Sequence, residues 1–284
     1  MEKSVANIYQ LHESIFAVVG PEGATNFGIV KGEDGSALLI DADIRRMDEI
    51  EAALKETGCT TVRYLFNTHE NFDHSSANDY FARNGAIVIG SEGCWQALKE
   101  DGEAKFAEMA GRAPELKNRF PDLKMGMPHI SFSQATTLHL PGFGIRLVYS
   151  AYRGKSHSRG DAIAILDKQE ILFAGDLLYT EVHPVTIYGN IANWIQSIDI
   201  LLRENFAHVV PGHGPVVKGN ALYKAAFLQF RNYLEDFHRR LMEIRSGGKS
   251  AAEIESHMKS GDYTHLGKTW MVKRNIEYFL NHAQ

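Results

Sequence analysis

An α/β fold with a helical C-terminal extension is what this sequence predicts, on three observations. Short apolar runs bounded by Gly-, Pro- and Asp-rich turns recur from Ile15 to Val210 and read as buried strands. Between them lie segments whose apolar residues repeat at three- and four-residue steps, in both halves of the chain. No low-complexity linker and no short-period repeat divides the halves, so residues 1–220 read as one α/β domain and 221–284 as a helical extension of it.

In chain order, strands are expected at Ile15–Val19, Thr25–Val30 and Ala37–Ile40, separated by the turns GPEG and GEDG. A helix fits Met47–Thr57, with Ile50 and Leu54 on one face, and Val62–Phe66 reads as a strand that stops at Asn67-Thr68-His69. Ser75 or Ser76 is placed to cap a helix running through Arg83, before a strand at Ala86–Ile89. Ser91 is placed to cap another helix, through about Ala110. Gly111–Pro128, with three of the eight prolines, reads as an irregular loop or flap. Strands return at Ile130–Phe132, Thr136–Leu140, Ile145–Tyr149, Ala162–Leu166 and Ile171–Ala174. A helix over Asn193–Glu204 and a strand over His208–Val210 follow. In the extension, Tyr223, Phe227, Phe230, Leu234, Phe237, Leu241 and Ile244 form the apolar stripe of one long helix. Ser250 and Glu253 make a capping box, and the last helix spans roughly Lys268–His282.

Composition excludes several classes. Apolar residues are 44% and charged residues 23% of the 284, which suits a folded core rather than disorder. The net charge of −5 disfavours a nucleic-acid partner. Cys59 and Cys94, the only cysteines, cannot make a disulfide framework and read as plain buried thiols. No apolar run approaches a membrane span, and MEKSVANIYQLHESIF lacks the basic start and apolar run of a signal peptide. A cytoplasmic protein acting on a small molecule is therefore expected, with homo-oligomerisation left open.

Thirteen histidines are the unusual feature. Thr68-His69-Glu70-Asn71-Phe72-Asp73-His74 follows one apolar strand, and His157, in Gly154-Lys-Ser-His-Ser-Arg-Gly160-Asp161, precedes another. Asp176 follows Ile171–Gly175, and His213 follows Val209-Val-Pro-Gly212. Four such groups at strand ends can converge on one edge of a sheet sandwich, and imidazole with carboxylate suits zinc or iron, so a shared metal site is expected.

In these residues the chain resembles the metallo-β-lactamase-fold hydrolases. The family pattern is T-H-x-H-x-D-H, a His in a G-H-T-P-G-like context, an Asp after a strand, and G-H-G. His69, Asp73, His74, His157, Asp176 and His213 match it in order, over roughly residues 15–220. The resemblance implies an αββα sandwich with one or two metal ions at one edge, Zn²⁺ first, with iron or manganese as the alternatives. It assigns His69 and His157 to the first metal position, Asp73, His74 and His213 to the second, and Asp176 to both as a bridge. The departure is Asn71, where the family has its second histidine. A carboxamide oxygen is a neutral and weaker zinc ligand than imidazole, which leaves three readings. The amide ligates, only the second position fills tightly, or the site has decayed.

The activity implied is hydrolysis of a small carbonyl substrate: a lactone, a β-lactam or a thioester. A zinc-bound water has its pKa lowered towards about 7, giving a hydroxide nucleophile at neutral pH. Asp73 is the residue expected to orient it. Tyr179, three residues after Asp176, resembles the tyrosine that lactonase members use at the carbonyl oxygen, against the alternative of a core tyrosine. His183 is a candidate substrate-binding residue, and Lys155 and Arg159 are either carboxylate-binding or merely solvated. Asp41 is expected to orient the metal loop rather than to ligate, and Trp95 and Trp194 to pack. Two other classes share the fold: an iron-dependent oxidoreductase, and a non-catalytic binding protein that has lost the first metal.

Overall fold

Thirteen strands and ten α-helices build two face-to-face sheets with helices on both outer faces, in a computed structural model that describes residues 7–150 and 154–282. The opening of the N-terminal stretch on which the signal-peptide reading rests lies outside the described residues. In chain order the elements begin β1 (Ile8–His12), β2 (Ile15–Val18), β3 (Phe27–Lys31), β4 (Ser36–Ile40), α1 (Met47–Glu56) and β5 (Thr61–Phe66). Then come α2 (Phe72–Ser75), α3 (Asn78–Arg83), β6 (Ile87–Ser91), α4 (Glu92–Ala97), α5 (Glu103–Gly111), α6 (Pro114–Arg119) and β7 (Ile130–Phe132). β8 (Ala135–Leu140), β9 (Phe143–Tyr149), β10 (Ala162–Leu166), β11 (Ile171–Tyr179), α7 (Ile191–Leu201), β12 (His208–His213) and β13 (Val217–Lys218) follow. The extension is α8 (Asn220–Arg245), α9 (Ala251–Met258) and α10 (Trp270–His282).

The first sheet runs β1 to β7 in sequence order and the second β13-β12-β11-β10-β9-β8. Most strands read as unbroken apolar runs because both of their faces are covered. Along β10, Ala162, Ala164 and Leu166 point between the sheets, where they meet Ile40, Phe66 and Ile89 of the first sheet. Ile163 and Ile165 point the other way, into a core shared with Trp194 of α7 and Phe227 and Phe237 of α8. On the opposite outer face, Ile44, Met47 and Ile50 cover Leu39 and Leu65. Each such side chain contributes about 1.5–3 kcal/mol on burial, so three apolar layers hold the four-layer stack. Val272 and Ile276 of α10 and Ile254 of α9 belong to the same core as Ile163, so the helical extension is packed onto the second sheet. Among the described residues no helix is long and apolar enough to cross a membrane.

Several local expectations are corrected. Neither Ser75 nor Ser76 caps a helix: Ser75 Oγ donates to the Glu70 and Asn71 carbonyls, and Ser76 Oγ accepts from the Ile44 amide. The chain turns there, giving α2 and α3 in place of one helix. Gly111–Pro128 is not irregular throughout, because Pro114 opens α6 and Leu116 is buried. α7 starts before Asn193, capped by Asn190, whose Oδ1 accepts from the Asn193 amide at 3.0 Å. Ser91 does cap α4, and the Ser250–Glu253 capping box is formed at α9. β11 runs five residues past Ala174, so Asp176 lies within a strand. β1 and β13 were not foreseen; β1 mixes polar and apolar side chains on a sheet edge, and β13 has two residues. Cys94 is buried, but Cys59 is only half-buried.

Candidate metal centre

Thr68-His69 follow the end of β5, α2 carries Asp73 and His74, and the loop before β10 carries His157. β11 and β12 lie parallel and adjacent, bringing Asp176 and His213 to the same edge. The backbone allows this only with glycine at two points. A Cβ on Gly212 would sit 1.9 Å from Asp176 Oδ1, and Gly175 has φ +52 with Thr68 packed against it.

Two sets of donors result, each with its ligand atoms within 4.8 Å of one another: His69, His157 and Asp176, and Asp73, His74 and His213. Asp176 faces both. Its Oδ2 lies 3.2 Å from His157 Nε2 and 3.6 Å from His69 Nε2, while its Oδ1 lies 3.3 Å from His74 Nε2 and 3.4 Å from His213 Nε2. Asp73 Oδ2 lies 3.5 Å from His213 Nε2 and accepts from Thr25 Oγ1 at 2.6 Å.

All four imidazoles turn Nε2 inward because Nδ1 is engaged elsewhere. His74 Nδ1 meets Asp41 Oδ2 at 2.9 Å, His213 Nδ1 the Gly23 carbonyl at 2.8 Å, and His157 Nδ1 the Val185 carbonyl at 3.1 Å. His69 Nδ1 lies 3.1 Å from Thr68 Oγ1, which itself donates to Asp41 Oδ2. This is the outer hydrogen bonding that fixes a ligating tautomer. Asp41 organises it from a left-handed backbone (φ +60), accepting from the Thr68 amide as well. Its expected role as an orienting residue matches this geometry.

The electrostatics fit a cation. Buried His69 Nε2, His74 Nε2 and Asp176 Oδ1 have no hydrogen-bond partner, a costly state unless something binds them. Burial holds His69 well below the usual imidazole range, helped by the neighbouring His74 charge, and takes His157 down to about 4 against the pull of Asp176. His74 goes the other way: burial lowers it, but Asp176, Asp41 and Asp73 outweigh that and hold it well above. Burial likewise opposes ionisation of Asp176, yet His213, His74, His157 and His69 keep its carboxyl well below the carboxylate range. A cation among these groups would satisfy both sets and displace the His74 proton.

Asn71 stands beside the first set. Its Nδ2 lies 3.0 Å from His157 Nε2, so a half-turn of the amide would put Oδ1 there instead. Tyr179 donates its hydroxyl to Asp176 Oδ2 and stacks on His213, with ring centroids 5.0 Å apart. His183 is buried, with Nδ1 2.9 Å from the Tyr233 hydroxyl and Nε2 without a partner. Burial, with Lys259 and His265, lowers its pKa to about 4, so the ring is neutral at pH 7. Arg159 is paired with Glu100, and Lys155 is exposed. Trp194 packs as expected, buried, with its Nε1 donating to the Leu177 carbonyl.

Glu70 was missed. Its half-buried carboxylate accepts from Ser158 Oγ and from the Arg159 and Gly160 amides at 3.0–3.1 Å, tying the His157 loop to the His69 loop. Its place between His69 and Asn71 was the available signal, a carboxylate in a segment too short to be solvated throughout. The donors open on a cavity of about 510 Å³, lined also by Arg45, Phe72, Lys105, Phe106, Lys268 and Arg274.

Solved structures with this fold include a metallo-β-lactamase from Pontibacter korlensis (18% identity, TM-score 0.64), aligned over 81% of this chain and 98% of that one. The DIM-1 metallo-β-lactamase aligns at 19% identity and TM-score 0.58, over 78% of this chain and 97% of that one. The stereoselective inverting sec-alkylsulfatase Pisa1 from Pseudomonas sp. aligns at 14% identity and TM-score 0.70, over 96% of this chain. This chain spans 49% of the alkylsulfatase's length. The two-sheet sandwich, the converging donors and a family model for the metallo-β-lactamase superfamily that matches residues 20–213 agree: the chain belongs to that superfamily.

Proposed function

We propose that this chain is a metal-dependent hydrolase of a small carbonyl substrate, a lactone, β-lactam or thioester. The observation that carries the reading is Asp176, which presents one oxygen to each donor set while its Oδ1 and two facing imidazole nitrogens lack a hydrogen-bond partner. His69, His157 and Asp176 would hold one ion, with Asn71 as a fourth donor after rotation of its amide. Asp73, His74 and His213 would hold a second with Asp176. Zn²⁺ bound there would acidify a water and polarise a carbonyl oxygen.

The remaining work falls to side chains. Asp73 is part-exposed to the cavity; burial opposes its ionisation, but His74 and His213 keep it a carboxylate, suited to accept a hydrogen bond from an attacking water and orient it. Burial and Asp176 keep the Tyr179 hydroxyl protonated, so it serves as a donor, holding Asp176 and available to a carbonyl oxygen on reorientation. His183, neutral with a free Nε2, is assigned to substrate binding.

The test is to load the purified protein with zinc, measure metal content, and screen lactones, β-lactams and thioesters. Turnover of one class, lost to a chelator and regained with zinc, is expected. Zinc binding without turnover on any class would sink the reading, and native iron with visible absorbance would favour the oxidoreductase. Sulfate esters belong in the same screen, because the alkylsulfatase aligns with 96% of this chain and therefore with its C-terminal helices, beyond residue 213 where the family model ends.

Asn71 supplies a separate prediction. Asn71→His exchanges a weak donor for imidazole, and an added ligand interaction of about 1.4 kcal/mol is tenfold in affinity. Zinc titration should therefore show the weaker of the two positions tightening by about that factor or more. Unchanged stepwise affinities would mean that Asn71 does not limit metal binding.

A further inference from the structure

Four cations, Arg45, Lys105, Lys268 and Arg274, line the cavity in front of the donors, alongside the carboxylates Glu70, Asp73, Glu108 and Asp176. Lys268 lies beside the second donor set. A Cβ on Gly23 would meet its Cε at 3.2 Å, and the Gly23 carbonyl is the one that holds His213. Lys268 adopts a left-handed backbone (φ +53) immediately before α10, an uncommon conformation for lysine. Arg274, one turn into α10, donates to Tyr188, whose ring centroid lies 6.5 Å from that of His157 beside the first set. Lys105 Nζ lies 5.7 Å from the same Tyr188 ring. Among the described residues, neither Lys268 nor Arg274 has a carboxylate within ion-pair distance, whereas Arg45 and Arg159 nearby are both paired. Lys268 and Arg274 thus flank the two halves of the centre with no carboxylate at ion-pair distance, and a part-buried cation in that state gains when a ligand supplies the counter-charge.

The rest of the wall is apolar. Phe72, Phe106, Met109 and Met271 line it, and Trp270 stands 55% exposed at its edge. Lys268, Trp270 and Arg274 all belong to the C-terminal extension, outside the residues matched by the family model.

We infer that the cavity takes an amphipathic anion, a carboxylate or sulfate whose charged group is received by Lys268 and Arg274 and whose hydrocarbon part lies against Phe72, Phe106 and Trp270. The inference rests on the hydrolase reading only in placing the substrate in this cavity, and its test is binding rather than turnover. Calorimetry would compare octanoate, octyl sulfate and neutral octan-1-ol, on zinc-loaded and on chelator-stripped protein. Both anions should bind about tenfold or more tighter than octanol, in both metal states, since a hydrogen bond to a charged group is worth about that factor. Whichever anion binds tighter supports the inference and names the head group. Lys268→Met should weaken anion binding about tenfold, with octanol unmoved, and Lys268→Arg should restore most of the loss. Arg274→Gln gives a second, independent reading of the same kind.

Equal affinity for octanoate and octanol would overturn the inference, as would anion affinity unchanged in both Lys268→Met and Arg274→Gln. Anion binding confined to zinc-loaded protein would also overturn it, by placing the charge on the metal. If the anions bind as expected while no lactone, β-lactam or thioester is turned over, the hydrolase reading fails alone. Metal-dependent turnover with no preference for anions would leave the hydrolase standing and remove this inference.

Discussion

Asp176→Asn is expected to empty both metal positions and to lower turnover by about three orders of magnitude or more. The carboxylate divides its two oxygens between the donor sets, Oδ2 towards His157 and His69 and Oδ1 towards His74 and His213. Asparagine keeps the shape but offers one neutral oxygen, so it can face only one set and turns an NH₂ towards imidazole nitrogens on the other. The lost charge also removes the one carboxylate of the first set and leaves the second set with Asp73 alone. A metal centre supplies several kcal/mol of charge stabilisation, and about 4 kcal/mol corresponds to a thousandfold in rate. Metal content of the purified variant and turnover of the substrate found in the screen are the measurements. A variant that retains two zinc ions per chain would show that Asp176 is not shared, and the two-set description of the centre would fall.

The donors of this centre were legible because each group lies next to a run of strand-forming residues, even though Asp176 proves to lie within β11 and Asp73 and His74 in α2. β4, β10 and β11 have no face to water, so their sequences are continuous apolar runs, and a polar residue at the end of such a run is conspicuous. His69, Asp176 and His213 were found on that pattern, and the family resemblance ordered them. What stayed hidden depends on contacts between distant segments. Glu70 looks like a solvated charge in the sequence, and only the approach of Ser158 and Gly160 shows it to be a half-buried clamp between loops. Ser75 and Ser76 have the right chemistry for caps, but the turn that aims Asp73 and His74 diverts their hydroxyls to other backbone groups. Lys268 and Arg274 carry no local signal, because the wall they form is completed by α5 from much earlier in the chain. The substrate-facing side of the site is therefore the part that sequence pattern reaches least, while the metal-facing side follows from strand ends.

One route by which the helical extension bears on the centre is the Phe230 ring, and Phe230→Ala measures how strongly. The aromatic spacing of α8 predicted burial, and Phe230 is 6% exposed. Its ring stacks near Tyr179 at 5.9 Å and meets the edge of Trp194 at 5.4 Å, while Trp194 in turn lies 5.1 Å from His157. Truncation to alanine in such a site should cost about 3–5 kcal/mol, the lost transfer energy plus an unfilled cavity. Urea unfolding of the metal-stripped protein should show the midpoint falling with the slope kept, since the surface exposed on unfolding hardly changes. A loss below about 1 kcal/mol would mean that the α8 stripe is not a packed core. Phe237→Ala, fully buried in the same helix, separates stability from function. It should destabilise by a similar amount yet leave zinc affinity unchanged, because no aromatic contact joins it to Tyr179 or Trp194. Phe230→Ala should in addition weaken zinc binding, by freeing the Tyr179 hydroxyl that holds Asp176. Equal zinc affinities in the two variants would show that the Phe230 ring only stabilises the second sheet, and that Tyr179 is held in place without it.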